Sequence, residues 1–183
     1  MTALQLPLFN FMYRHRYRLL FGAIMLTAIF LRFWRLHQLP PGLFPDEAAN
    51  GLDVFRILEQ GDLRPLYNTN GPREALFFYL QAGFVALFGN TILALRLAPA
   101  LVGTLAVAAT YLWVKSWFGQ RAALVAAFLM AVSPWAVTMS RIGFRASMVP
   151  LFIPLTLWLY TKGFQTAKRK WFILAGLSLG AGM

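Results

Sequence analysis

The sequence predicts an all-α fold: a polytopic bundle of transmembrane helices with one polar outer loop that carries juxtamembrane helices. Three observations predict it. Of the 183 residues, 59% are hydrophobic and only 13% charged, about half the charged share of a soluble domain. Several apolar runs approach the roughly 20 residues needed to cross a bilayer. All six carboxylates (Asp46, Glu47, Asp53, Glu59, Asp62 and Glu74) fall between Phe44 and Glu74, and the sequence on either side is apolar or basic. The pattern fits a single transmembrane domain over residues 1–183.

The formal net charge of +11 is laid out as a topology signal. Nine of the 17 Lys and Arg residues cluster at Arg14, Arg16 and Arg18, at Lys115 and Arg121, and at Lys162, Lys168, Arg169 and Lys170. Each cluster flanks an apolar run, the positive-inside pattern. The charge therefore points to a lipid bilayer as partner and away from nucleic acid. Cysteine is absent, which excludes disulfides and thiolate metal sites. His15 and His37 are too few and too scattered for a histidine metal site, and no metal or cofactor is expected.

The basic, aromatic stretch Tyr13–Arg18 precedes uninterrupted apolar sequence from Leu19 to Leu31. A signal peptide would be followed by a small-x-small cleavage site; here Arg32-Phe33-Trp34-Arg35 follows instead. The spacing predicts an uncleaved first span at about 17–34, with its N-terminus in the cytoplasm and Trp34 and Arg35 at the far interface. The outer loop covers 35–90. Within it Pro40-Pro41-Gly42 forbids helix, and Asp46 stands at the N-cap position of a helix over Glu47–Gln60 that Gly61 closes. Ala48, Leu52, Phe55 and Leu58 form one stripe of that helix, with Asn50, Asp53, Arg56 and Gln60 opposite. At 14 residues it would lie on the membrane rather than cross it. Asp62–Pro72 reads as irregular, with turn chemistry at Asn68–Pro72.

Ala75–Phe88 is apolar, but its 14 residues reach only about 21 Å against a hydrocarbon core of about 30 Å. If it crossed, six of the nine clustered cations would move to the outside. It is therefore expected to be a juxtamembrane or re-entrant helix. Further spans are expected at 91–114, 122–139, 147–164 and 171–183, joined by an inner loop at Lys115–Arg121 and an outer loop at Ser140–Ala146. The last stops after 13 residues, about 20 Å, which predicts the front part of a longer protein, inactive alone.

Asp46-Glu47 opens a helix on the outer side. A carboxylate there can cap the helix, take a proton from an attacking hydroxyl, or do both. The surrounding residues bring further matches in order: Pro40-Pro41-Gly42-Leu43-Phe44-Pro45-Asp46-Glu47-Ala48, Gly61-Asp62, Asn70-Gly71-Pro72-Arg73-Glu74, Phe77-Phe78-Tyr79-Leu80-Gln81-Ala82, Leu87-Phe88-Gly89, Ala94-Leu95-Arg96-Leu97, Ser133-Pro134-Trp135 and Ser140-Arg141. Over about residues 17–183 this order resembles the GT-C membrane glycosyltransferases. The nearest group is the family-39-like one, with protein O-mannosyltransferases and lipid A aminoarabinose transferases.

The resemblance implies many transmembrane helices with juxtamembrane helices in the first outer loop. It also implies transfer of a sugar from a polyprenyl-phosphate carrier to an acceptor on the outer face of the plasma membrane. It makes Asp46 the catalytic base and Glu47 a neighbour that orients acceptor or carrier. Arg73 would clamp the lipid phosphate and Glu74 would accept hydrogen bonds from sugar hydroxyls, unless the two are a solvated ion pair. Arg96 would serve a phosphate or Asp46, or snorkel to headgroups. Arg141 and Arg145, on the outer side, would meet an anionic ligand or headgroups. Many relatives carry an acid near Arg145–Ser147, absent here; that argues against a divalent metal and for arginines that neutralise the leaving phosphate. The alternative is a non-catalytic membrane subunit or scaffold. The identities of the sugar and acceptor are not encoded in these motifs.

Overall fold

The computed structural model describes residues 5–68 and 71–182, with side chains from residue 15 onward. The Arg14 side chain, Thr69-Asn70 of the expected turn, and Met183 lie outside the described residues. The fold is nearly all-α: α1 (Gln5–Phe33), α2 (Pro45–Gln60), α3 (Leu76–Phe88), α4 (Ile92–Val132), α5 (Pro134–Arg141), α6 (Val149–Thr166) and α7 (Arg169–Ala181), with a 3-10 turn at Arg145–Met148. The one exception among the described residues is a small strand pair that begins within the stretch expected to be irregular. Strands β1 (Leu66–Tyr67) and β2 (Arg73–Glu74) pair antiparallel in the register Tyr67 with Arg73 and Leu66 with Glu74. Because side chains alternate along a strand, Arg73 is buried while Glu74 is exposed.

The start of α2 also departs from expectation. Pro45, not Asp46, opens the helix, and Phe44 holds the N-cap position in an extended conformation. Proline suits a first helical position because its φ is preset and its missing N–H would have no helical partner there. Asp46 is thus already inside the first turn. Glu47 supplies the cap: its Oε2 accepts the Phe44 N–H at 3.0 Å, one half of a capping box. Gly61 ends the helix in the left-handed conformation, φ 63°, as expected. The helix turns Glu47, Asn50, Asp53, Val54 and Ile57 inward, whereas Leu52, Phe55 and Leu58 of the apolar stripe are exposed. Arg56 and Gln60 are exposed as well.

Thr91 caps α4, its hydroxyl accepting the Ala94 N–H at 3.2 Å. Gly119 interrupts this helix with φ 82° and ψ 178°, a conformation open to glycine alone. The two arms fold back on each other there. Arg32 Nη1 donates to Ala131 O at 3.0 Å while a Cβ on Gly103 would lie 3.2 Å from Arg32 Nε; a straight helix would hold residues 103 and 131 about 42 Å apart. The expected inner loop at Lys115–Arg121 is therefore a single-residue turn. Among the described helices, α4 is long and apolar enough to cross a membrane by length and composition.

Expected span 122–139 is broken at Ser133-Pro134. Proline cannot donate to the carbonyl four residues back, which strands Met130 O. Arg32 takes its place, with Nη2 3.1 Å from Met130 O. The same device recurs at Pro99 inside α4: the stranded Leu95 O accepts from Gln81 Nε2 of α3 at 2.9 Å. Buried side-chain donors thus repair both proline breaks and tie α1 and α3 to α4.

Two apolar clusters hold the chain together. Val54, Tyr67, Phe77, Phe78, Val85 and Leu95 pack α2, β1 and α3 on the first arm of α4. Ala28, Val107, Tyr111, Ala123, Ala127 and Ala131 pack α1 against both arms of α4, where alanines allow close helix approach.

Candidate functional site

Three separate parts of the chain meet around a cavity of about 160 Å³ lined by Asp46, Asn50, Arg73, Phe144 and Arg145. Asp46 and Asn50 lie four residues apart on α2, hence on one face. Arg73 comes from β2, and Phe144-Arg145 from the connection after α5. Asp46 is half-buried, and so is Arg145.

Arg73 is 5% exposed and enters the wall held at both terminal nitrogens. Its Nη2 lies 2.5 Å from Asp53 Oδ2, its Nη1 donates to Asn50 Oδ1, and its guanidinium carbon stacks 4.9 Å above the Phe78 ring. Its Nε is buried and meets no acceptor among the described residues. Arg145 is looser. It pairs with Glu74 Oε2 at the rim, where their side chains are 39% and 48% exposed. Burial raises the Glu74 pKa, but its own backbone amide and Arg145 outweigh this and leave it below the usual value. Arg145 and Phe144 also line a neighbouring cavity of about 270 Å³ with Glu74, Leu76 and Phe77.

Of the residues expected from sequence, the structure brings Asp46, Arg73 and Arg145 to one cavity and Glu74 to its edge. Glu47, Arg96 and Arg141 are elsewhere. Glu47 is 1% exposed and Arg96 0%. Arg96 spends its donors inside: Nε on Glu47 Oε1 at 2.8 Å, Nη2 on Glu47 Oε2 at 3.0 Å and Gly42 O at 2.6 Å, and Nη1 on Pro40 O at 2.9 Å and Leu36 O at 3.3 Å. It neither snorkels nor keeps a donor for phosphate. A buried guanidinium needs this full set of acceptors, and the proline-rich loop supplies three of them. Arg141 is likewise committed, with Nη1 2.6 Å from Leu31 O and Nη2 2.7 Å from Trp34 O. It closes the C-terminal end of α1, where carbonyls lack helical partners.

Burial raises the Glu47 pKa, but Arg96 and the N–H groups of Phe44 and Gly143 more than reverse it, so its carboxyl lies below the usual glutamate value. Asn50, Asp53, Gly143 and Phe144 escaped the sequence analysis as site residues. Asn50 and Asp53 carried a signal, since they follow Glu47 at helical spacing of three. Gly143 and Phe144 carried none. Among the described residues no three carboxylate or imidazole side chains converge as metal ligands.

A carboxylate facing two guanidiniums can do two things together. The cations can hold an anion and stabilise charge that develops on it. The carboxylate can accept a proton from a neutral nucleophile beside that anion.

The family described as dolichyl-phosphate-mannose-protein mannosyltransferase matches residues 72–183, more than half of the chain. Arg73, Glu74, Arg96, Arg141 and Arg145 lie within the match; Asp46 and Glu47 precede it. YkcB of Bacillus subtilis (strain 168), provisionally described as a mannosyltransferase, is 31% identical over 105 residues, which cover 57% of this chain and 15% of that protein. No solved structure matches the chain. With residues 72–183 matched, more than half of its length, the chain belongs to the dolichyl-phosphate-mannose-protein mannosyltransferase family of GT-C-like glycosyltransferases.

Proposed function

We propose that this chain carries the acid–base half of a membrane glycosyltransferase site, which moves a sugar from a polyprenyl-phosphate carrier to an acceptor hydroxyl on the extracytoplasmic face. The observation that carries the proposal is the shared cavity of Asp46, Arg73 and Arg145. In the reaction, the acceptor oxygen attacks the anomeric carbon. The bond from that carbon to the phosphate oxygen breaks, and the electron pair leaves with the polyprenyl phosphate. Asp46 takes the acceptor proton as the new bond forms. Arg145, with Arg73 behind it, offsets the charge on the departing phosphate. Glu74 would accept hydrogen bonds from sugar hydroxyls. Glu47 acts by positioning: bound to Arg96 and Gly143, it fixes the turn of α2 that presents Asp46.

The proposal extends to topology. α1, the arms of α4, and α6 and α7 would form a polytopic bundle, N-terminus inside, with α2 and α3 on the outer surface. The exposed Leu52, Phe55 and Leu58 of α2 suit contact with lipid. The transfer assay on the full-length protein in membranes tests the chemistry. Asp46→Ala is expected to abolish transfer while the protein accumulates normally; retained transfer would reject Asp46 as the base.

A further inference from the structure

We infer that Asn50 is a positioning residue that holds the two walls of the Asp46 cavity in register, an inference that rests on reading this cavity as the phosphate end of a transfer site. Asn50 is 2% exposed, and its single amide serves both walls. Its Nδ2 donates to Gly143 O, and its Oδ1 accepts from Arg73 Nη1.

Each wall has a second tie to the neighbouring turn of α2. The Gly143 N–H donates to Glu47 Oε1 at 2.9 Å, so the peptide groups on both sides of Gly143 are held, one by Glu47 and one by Asn50. The next two residues, Phe144 and Arg145, line the cavity. On the other side Arg73 is held by Asn50 and by Asp53. Glu47, Asn50 and Asp53 thus form a ridge along one face of α2 at spacing three. Asn50 is the member common to both walls. The contact at Gly143 is close: an added Cβ would lie 2.9 Å from Glu47 Cγ and 3.2 Å from Gln81 Nε2.

The chemistry of the position is restrictive. It must donate to a carbonyl and accept from a guanidinium, which a primary amide does and an ionised carboxylate does not. Aspartate would keep the Arg73 bond and face the Gly143 carbonyl without a proton to give. Leucine has similar bulk and keeps neither bond. The separation of Arg73 from Arg145, and so the fit of an anion between them and Asp46, depends on this side chain as the one tie common to both walls.

The test uses the full-length protein in detergent or nanodiscs, with farnesyl phosphate as the anionic lipid probe and farnesol as its uncharged control. Hydrogen exchange over residues 142–148 is measured on the same samples. For Asn50→Leu, exchange in 142–148 is expected to quicken at least about tenfold, and farnesyl phosphate affinity to fall about 10- to 100-fold, the range for a lost hydrogen bond to a charged group. Farnesol affinity should stay unchanged. A residue that only stabilises the fold would lower the melting midpoint without changing probe affinity in the folded fraction. If Asn50→Leu does not accumulate, Asn50→Ser is measured with the same expectation.

Unchanged exchange, or quickened exchange with unchanged farnesyl phosphate affinity, would overturn the assignment. Failure of both variants to fold would overturn it too, since the residue would then serve folding rather than placement. If the unsubstituted protein bound farnesyl phosphate no better than farnesol, the proposed transfer site would fall, while the exchange of 142–148 would still decide whether Asn50 holds that loop.

Discussion

Both carboxylate oxygens of Glu47 face the guanidinium of Arg96, at 2.8 Å from Nε and 3.0 Å from Nη2. The pair lies between α2 and the first arm of α4 and gathers the carbonyls of Leu36, Pro40 and Gly42 around it. It anchors the loop that leads into α2 and so to Asp46. A buried pair of this kind is not a reliable source of net stability, but breaking it leaves a charge without a partner.

Glu47→Gln keeps the shape and removes the charge. The loss is expected to be about 3–5 kcal/mol, as for other buried pairs broken on one side, measured as the unfolding free energy of the purified protein. The pH dependence has a definite sign. The folded pKa of Glu47 lies below its ordinary value, so its contribution is fully present above the unfolded pKa of about 4.3. It is lost as pH falls through the folded pKa. The stability gap between the parent and Glu47→Gln should therefore be constant near neutrality and close below about pH 4. A gap that widened on acidification would contradict the assignment.

Two glycines separate packing from propensity. A Cβ on Gly103 would collide with Ser140 Oγ, lie 2.6 Å from Ser140 Cβ and come close to Arg32 Nε. Gly103→Ala should therefore destabilise by at least about 1–3 kcal/mol, the usual cost of overpacking. Gly83, in α3, meets nothing within 4 Å. Gly83→Ala should be neutral or stabilising by up to about 1 kcal/mol, the helix-propensity difference. Paired melting curves check both. Equal effects would mean that α4 and α5 do not approach as described.

Much of this fold was legible in the sequence because its punctuation is local. Thr91 and Gly61 mark helix ends by their own backbone and hydroxyl chemistry, and the apolar runs around them have helix lengths. Gly119 was legible only as part of a basic loop, because nothing local says that one glycine suffices to reverse the chain. Asp46 was misplaced by two positions, since Pro45 competes for the start of α2 and Glu47, not a side chain at the N-cap, satisfies the first amide. The site was half legible. Asp46, Arg73 and Arg145 stood out by charge in an apolar chain. Arg96 and Arg141 stood out equally and turned out to be structural. Charge alone does not reveal whether a guanidinium's donors are already taken, and the acceptors here, Glu47 and backbone carbonyls, lie far away in sequence. Gly143 was silent for the same reason: its partner Asn50 lies 93 residues away.

The absence of cysteine makes sidedness directly measurable. Asn68 is exposed and does not line the cavity, whereas Asn50 is buried and unsuited to labelling. Asn68→Cys should react with an impermeant maleimide in intact cells. Reaction only after the membrane is opened would put the cavity on the cytoplasmic side and contradict an extracytoplasmic acceptor.

The central claim is that Asp46 acts on the proton while Arg145 acts on the phosphate. The kinetics of Asp46→Asn and Arg145→Gln in the full-length protein, with a polyprenyl-phosphate sugar as donor, test it most directly. Asp46→Asn should lower kcat by about 10²- to 10⁴-fold, the range for a positioned base, with the donor KM nearly unchanged. Arg145→Gln should raise the donor KM. An Asp46→Asn protein that kept its kcat, or lost only donor affinity, would contradict the account.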